Sequence, residues 1–313
     1  MNRSILGSFV LLVLGSSIAS SVHASSGDPA PIVVVGDRAN QAEIAATQAK
    51  SITLRPTADN PLPRRYASIC VKLFGIDPAY GALLAERIRD NMRTLKRPVG
   101  GPQCQPNVWI GFTKNSRTEV ALLRKQDPAM FASLKAFEID RIFGGSGAAQ
   151  VWHATEIRGV DGRPIPIVEL NIPGPGGGRK IETGYNAQYR GGRLVSTIRS
   201  DINGTIVIFD RDRANGKSVQ QLADYATFRI LAPVQDLAVV PEKSVPSILQ
   251  LFSEGADPPD GLTEFDWAYL SAYYKLDRGA KVSAIHDAAK QAMLDGTGAK
   301  LRERAAAGQP AAP

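Results

Sequence analysis

The sequence predicts an α+β fold: an N-terminal α/β unit stapled by a disulfide, an antiparallel hairpin sheet, and a helical C-terminal part. Three observations carry this expectation. Residues 68–112 run strand-like, helix-like and strand-like, with Cys70 in the first strand and Cys104 ahead of the second. Two turn-forming dipeptides, Asp161-Gly162 and Asn203-Gly204, each stand between β-rich runs, as tight hairpin turns require. The last third carries apolar residues at helical spacing.

Taken in order, residues 1–24 have the layout of a secretory signal peptide. Arg3 precedes an apolar run from Ile5 to Ile18, and Val22-His23-Ala24 offers a small-x-small cleavage site before Ser25. The apolar run is short for a membrane span, and no later run is long enough for one. The expected location is therefore periplasmic or secreted. Residues 25–64 read as a flexible leader and linker. Within them PIVVVGDR suggests a short strand, Ala39–Ile52 has weak helical periodicity, and ADNPLPRR is rich in proline. A single domain follows over 65–300, with GGSGA as a joint near 144–150 at which it could subdivide, and a frayed tail over 301–313.

Inside the domain, SICVKLF is a strand candidate and Asp77-Pro78 starts a helix, with the acid as N-cap and proline in the first turn. Tyr80, Leu83, Leu84, Ile88, Met92 and Leu95 are predicted to share its buried face. NVWIGF is the second strand. Residues 116–142 read as two helical pieces broken at Asp127-Pro128. VWHATEIRGV with RPIPIVELN, and LVSTIRS with TIVIFDR, form the two hairpins, giving about four antiparallel strands over 150–210. Ser218 and Gln221 suit a capping box at the head of the helix that follows. Val219, Leu222, Ala223, Ala226 and Ile230 form its apolar stripe, and Asp224 falls off that stripe, in solvent or paired with Arg229 or a neighbour. Thr263 and Asp266 suit a second capping box, with Leu262 and Trp267 as a hydrophobic staple, and a helix spans about Val282 to Leu294.

Removing the signal peptide leaves 36 Lys and Arg against 30 acids, a balance of +6. That fits weak attraction to anionic envelope polymers but is no nucleic-acid signature, since dense basic runs are missing. The two cysteines, Cys70 and Cys104, are expected to pair in an oxidising compartment. The rival reading, half of a zinc site, lacks a CxxC pair.

Particular residues bear on several chemistries. Gly216-Lys217-Ser218 has the ending of a phosphate loop in a strand-to-helix context, but Arg211 stands where the first glycine belongs. A zincin helix needs two histidines four apart, and LADYATF has none. Only His153 and His286 remain after signal removal, which excludes a three-histidine site and leaves open a mixed one with carboxylates; the expectation is no metal and no cofactor. No G-x-S-x-G occurs, although a serine could meet His153 through the fold. Asp201, Asp210 and Asp212 cluster at the second hairpin, with Glu156 and Glu169 at the first. Paired acids there would suit glycoside cleavage, whereas ion pairs with Arg199, Arg211 and Arg213 are the simpler reading.

Four runs carry a resemblance: ICVKLFGID, QCQPNVWIGF, QVWHATEIRGVDG, and LADYATFRILA followed by SILQLFSEGADPPDGLTEFDWAYLSAYYK. Together they resemble an uncharacterised group of exported proteins of Gram-negative bacteria, which implies an envelope or secreted protein and no particular activity. Residues 219–231 are also similar to a zinc-peptidase-like layout lacking its ligands. PIVVVGDR is similar to the leader of outer-membrane receptors, but the alternating strands of a barrel do not follow it. The expected function is non-enzymatic binding or assembly, with an envelope protein or an anionic polymer as partner. The alternative is a hydrolase using the strand-end carboxylates Asp201 and Asp210, or His153.

Overall fold

The computed structural model describes residues 35–54, 61–132, 134–144, 147–173, 179–185, 197–237, 239–255 and 257–308. The expected signal peptide and its cleavage point lie outside them. The chain opens with α1 (Val35–Ile52), whose Ala42, Ala45, Ala49 and Ile52 are fully buried. The end of PIVVVGDR is thus helical, and the start of that run lies outside the described residues. Next comes β1 (Pro63–Arg64), a short strand in the proline-rich stretch expected as linker. Both α1 and β1 therefore contribute to the fold.

The predicted strand–helix–strand unit is present as β2 (Val71–Phe74), α2 (Pro78–Thr94) and β3 (Val108–Thr113), with the two strands parallel. Asp77 caps α2 by accepting from the Ala79 amide at 2.9 Å, with proline at the helix start. Cys70 and Cys104 form a disulfide with 5.8 Å between Cα atoms. The buried face of α2 is narrower than predicted: Leu84, Ile88 and Met92 are buried, but Tyr80 and Leu83 are 57% and 60% exposed.

After β3 come α3 (Ser116–Gln126), a single 3-10 turn at Pro128–Phe131, and α4 (Ala136–Gly144). The break at Asp127-Pro128 falls where the proline ring disallows a continuing helix. Then follow β4 (Ala149–Gly159), β5 (Ile167–Pro173), β6 (Arg179–Tyr185) and β7 (Ile198–Asp210).

Here the structure overturns the predicted sheet. β7 is the central strand, parallel to β3 on one edge, and the short β1 continues that edge at Ser200 and Asp201. β2 lies outside β3, and β4 lies antiparallel along the other edge of β7. The result is an α/β arrangement around a parallel sheet with one antiparallel strand, in place of an antiparallel hairpin sheet. β5 and β6 pair only with each other, as a separate antiparallel ribbon. Asp161-Gly162 does make a turn, with Gly162 at φ +90° and its amide bonded to the Gly159 carbonyl at 2.7 Å. That turn, however, joins β4 to a chain that leaves the sheet.

Asn203-Gly204 is no turn at all. It lies inside β7, where the register against β4 shifts between Ala154 and Thr155, a β-bulge. The extra residue resets the side-chain alternation. Val207 and Phe209 face the larger helical layer above the bulge, and Ser200 faces the same side below it.

The remaining helices are the one-turn α5 (Arg211–Ala214), α6 (Val219–Leu231), a 3-10 turn at Ile248–Gln250, α7 (Glu264–Lys275), α8 (Ala284–Leu294) and α9 (Thr297–Ala306). Both predicted capping boxes are formed, Ser218 with Gln221 and Thr263 with Asp266. α9 holds the first residues of the stretch expected to fray.

Helices α1, α2 and α6–α8 build one continuous core with Val108, Ile110, Phe112, Val207 and Phe209 of the sheet. On the other face, α3 and α4 enclose a smaller core around Trp152, Ile206 and Ile208. Phe131 stacks there on Trp152 at 5.0 Å between ring centres. The centre of the large core is α6, buried on all sides from Leu222 to Leu231. Its polar residues are therefore buried too, contrary to the expectation for Asp224. That carboxylate is fully buried and is held by both Arg87 and Asn91 of α2.

Candidate functional site

A cavity of about 430 Å³ opens at the edge of the sheet beside β4. Its size falls within the range of small-molecule sites. Val151, His153 and Thr155 project into it from one face of β4, as strand alternation dictates. α4 lies over the opening with Phe137, Glu138 and Arg141, and Phe137 is 48% exposed at the rim. The end of α6 closes the far side with Arg229, Pro233 and Val234. The walls are mostly apolar, and the polar groups converge on His153.

His153 is part-buried. Its Nδ1 lies 2.9 Å from the Thr205 hydroxyl, and Arg65 Nη2 donates to the same oxygen at 2.5 Å. Arg65 donates to this oxygen, which still has both its hydrogen and a second lone pair for Nδ1. Burial is the main influence on this ring, followed by the charges of Arg65, Arg229 and Arg141. All of them hold its pKa well below the ordinary histidine range. His153 is thus a neutral imidazole in a positive field.

The arginines around it are unevenly satisfied. Arg229 donates to the Tyr225 hydroxyl at 2.8 Å and to the Asp236 carboxylate, and Tyr225 donates to Asp236 at 2.6 Å. Arg65, 1% exposed, retains two buried nitrogens with no partner, and Arg229, 7% exposed, retains one. Burial lowers the Arg65 pKa to about 10. The acids on the cavity wall are Glu138 and Glu156. Glu156 is occupied by Arg158 at 2.8 Å and Asn203 at 2.8 Å. Among the described residues no carboxylate pairs with Arg65.

The three residues singled out from sequence do not meet. His153 lines the cavity. Asp201 neighbours Ser200 along β7 and so points to the opposite face, where it pairs with Arg199 at 2.8 Å and is 6% exposed. Asp210 ends β7 and accepts from the amides of Asp212 and Arg213 at 3.1 and 3.2 Å, a helix cap for α5. Glu156 and Asp201 are cross-strand partners bridged by Arg158, at 2.8 and 3.9 Å. This is an ion-pair network in which arginines occupy both carboxylates. Glu169 lies in β5, with no side-chain geometry described.

Arg65, Arg141 and Arg229 were missed as site residues. The one sequence signal was an arginine set in an apolar helical run, ATFRILA, where a charge has to be buried with the helix.

Among the described residues no group of three or more His, Cys, Asp or Glu could hold a metal ion, and no helix is long and apolar enough to cross a membrane. Comparison of the chain with protein-family models, curated proteins and solved structures finds no match.

Proposed function

We propose that this is an exported, non-enzymatic binding protein, like the exported proteins its sequence resembles, and that its ligand is a small molecule held in the cavity beside β4. The observation that carries the reading is the enclosure itself: apolar walls from three elements around a few convergent polar groups. It favours a small molecule over the envelope protein or anionic polymer expected from charge, because the polar groups line a pocket and not an open basic stripe. The Cys70–Cys104 disulfide supports an oxidising compartment. His153 supports binding over hydrolysis. It is uncharged, bonded to a threonine already engaged by Arg65, and has no carboxylate orienting its ring.

The test is native mass spectrometry of protein purified from its host, against Ile157→Trp, which fills part of the cavity from the strand side. A small molecule should accompany the native protein and be lost from the variant at unchanged melting temperature. A turnover that His153→Ala abolishes without destabilising the fold would overturn the non-enzymatic reading.

A further inference from the structure

The charges around the cavity do not balance. Arg65 and Arg229 are buried, and both keep buried nitrogens without a partner. Arg141 and Lys135 add two more cations at the wall. Against these four stand Asp236, bonded to Arg229, and Glu138 beside Arg141. Glu156 is committed to Arg158 and Asn203. Lys135 and Arg141 are exposed at the rim, but the buried Arg65 and Arg229 are costly unless an anion offsets them. From β7 the Thr205 hydroxyl bonds the imidazole. His153 and the guanidinium of Arg141, beside Glu138 on α4, both line the cavity. A planar, two-oxygen acceptor matches a guanidinium better than a point charge does.

We propose that the ligand of this cavity is a carboxylate with an apolar body, its acid group seated among His153, Arg229 and Arg141 and its body against the walls formed by Phe137, Val151 and Val234. This rests on the reading of the cavity as a ligand site. It goes further in naming the ligand class and the residues that select it. Arg65 acts from behind, through Thr205, as a positioning residue for His153.

The experiment is calorimetric titration of the full chain with three matched pairs: hexanoate, decanoate and 4-phenylbutanoate, each against its carboxamide. The amide keeps the shape and removes the charge. At least one carboxylate should bind about tenfold or more tightly than its amide. Arg141→Gln should reduce that ratio toward one while leaving amide binding unchanged, and Arg141 is exposed enough for the variant to fold. Equal binding of acid and amide, or a preference that survives Arg141→Gln, overturns the inference while the cavity remains a ligand site. Failure of all six probes to bind overturns both readings together.

Discussion

Replacing Arg87 by methionine should destabilise the protein by about 3 kcal/mol, although Arg87 lies at the surface of α2. Asp224 sits on the fully buried α6 and accepts four hydrogen bonds. Arg87 donates two, at 2.8 and 2.9 Å, the Asn91 amide one at 2.6 Å, and the Leu262 backbone one at 2.9 Å. Gly261 makes room for this knot, since a Cβ there would stand 2.4 Å from Asp224 Oδ2. Methionine keeps the aliphatic packing of Arg87 but leaves a buried carboxylate with two of its four donors and no counter-charge. Removing one partner of a buried pair costs about 3–5 kcal/mol. The Arg87 side chain is 26% exposed, so water can partly replace it, and the lower end applies. At about 2–4 °C per kcal/mol for a domain of this size, the melting temperature should fall by roughly 6–12 °C. Urea denaturation of wild type, Arg87→Met, Asp224→Leu and the double variant measures the coupling directly. The double variant should lose less than the two singles combined. A cost below about 1 kcal/mol for Arg87→Met would refute the reasoning and place the pair among ordinary surface bridges.

Two further outcomes follow from the same kind of accounting. Burial raises the Asp266 pKa from the ordinary 3.8 to about 6, against hydrogen bonds from Ser247, Thr263 and Ile248 that pull it down. The folded state therefore holds this proton more tightly than the unfolded one. The stabilisation is complete below about pH 4 and is lost as pH rises through about 6, up to about 3 kcal/mol. Urea midpoints across that interval should fall less steeply for Asp266→Asn than for wild type, and parallel curves would contradict the assignment. Replacing both Cys70 and Cys104 by alanine should cost roughly 3–4 kcal/mol by release of a loop with sequence separation 34, read from the same denaturation curves.

The elements that could be read from sequence are those whose causes are local. Asp77-Pro78, Ser218 with Gln221, and Thr263 with Asp266 each act within one helical turn, and all three caps are in place. The β2–α2–β3 unit was legible for the same reason, since its strands and helix are consecutive. The sheet order was not. Asn203-Gly204 has the chemistry of a tight turn, but whether it turns or bulges depends on what lies beside it. Here β4 pairs along the whole length of β7, from Phe209 to Ile198, and carries the chain straight through. Pro63 hides β1 in a segment that looks like linker, because proline suits a strand too short to need its amide. The candidate site was legible only in His153, through its rarity. Its arginines come from the residue after β1, from α4 and from α6, which only the completed fold brings together.

The place of β7 in the sheet also sets an order in time. The strand that completes the sheet's centre is its last to be made, and β3 and β4 both wait for it. Until Ile198–Asp210 has emerged, β3 presents an open edge and β1 has nothing to pair with. A chain crossing a membrane in an unfolded state, N-terminus first, would therefore arrive with its disulfide-linked unit able to form early and its inner edge still bare. Pairing between parts so distant in sequence is slow, because the intervening chain must first be closed into loops. The interval in which that edge lies open is when this protein is most exposed to mispairing with another copy of itself.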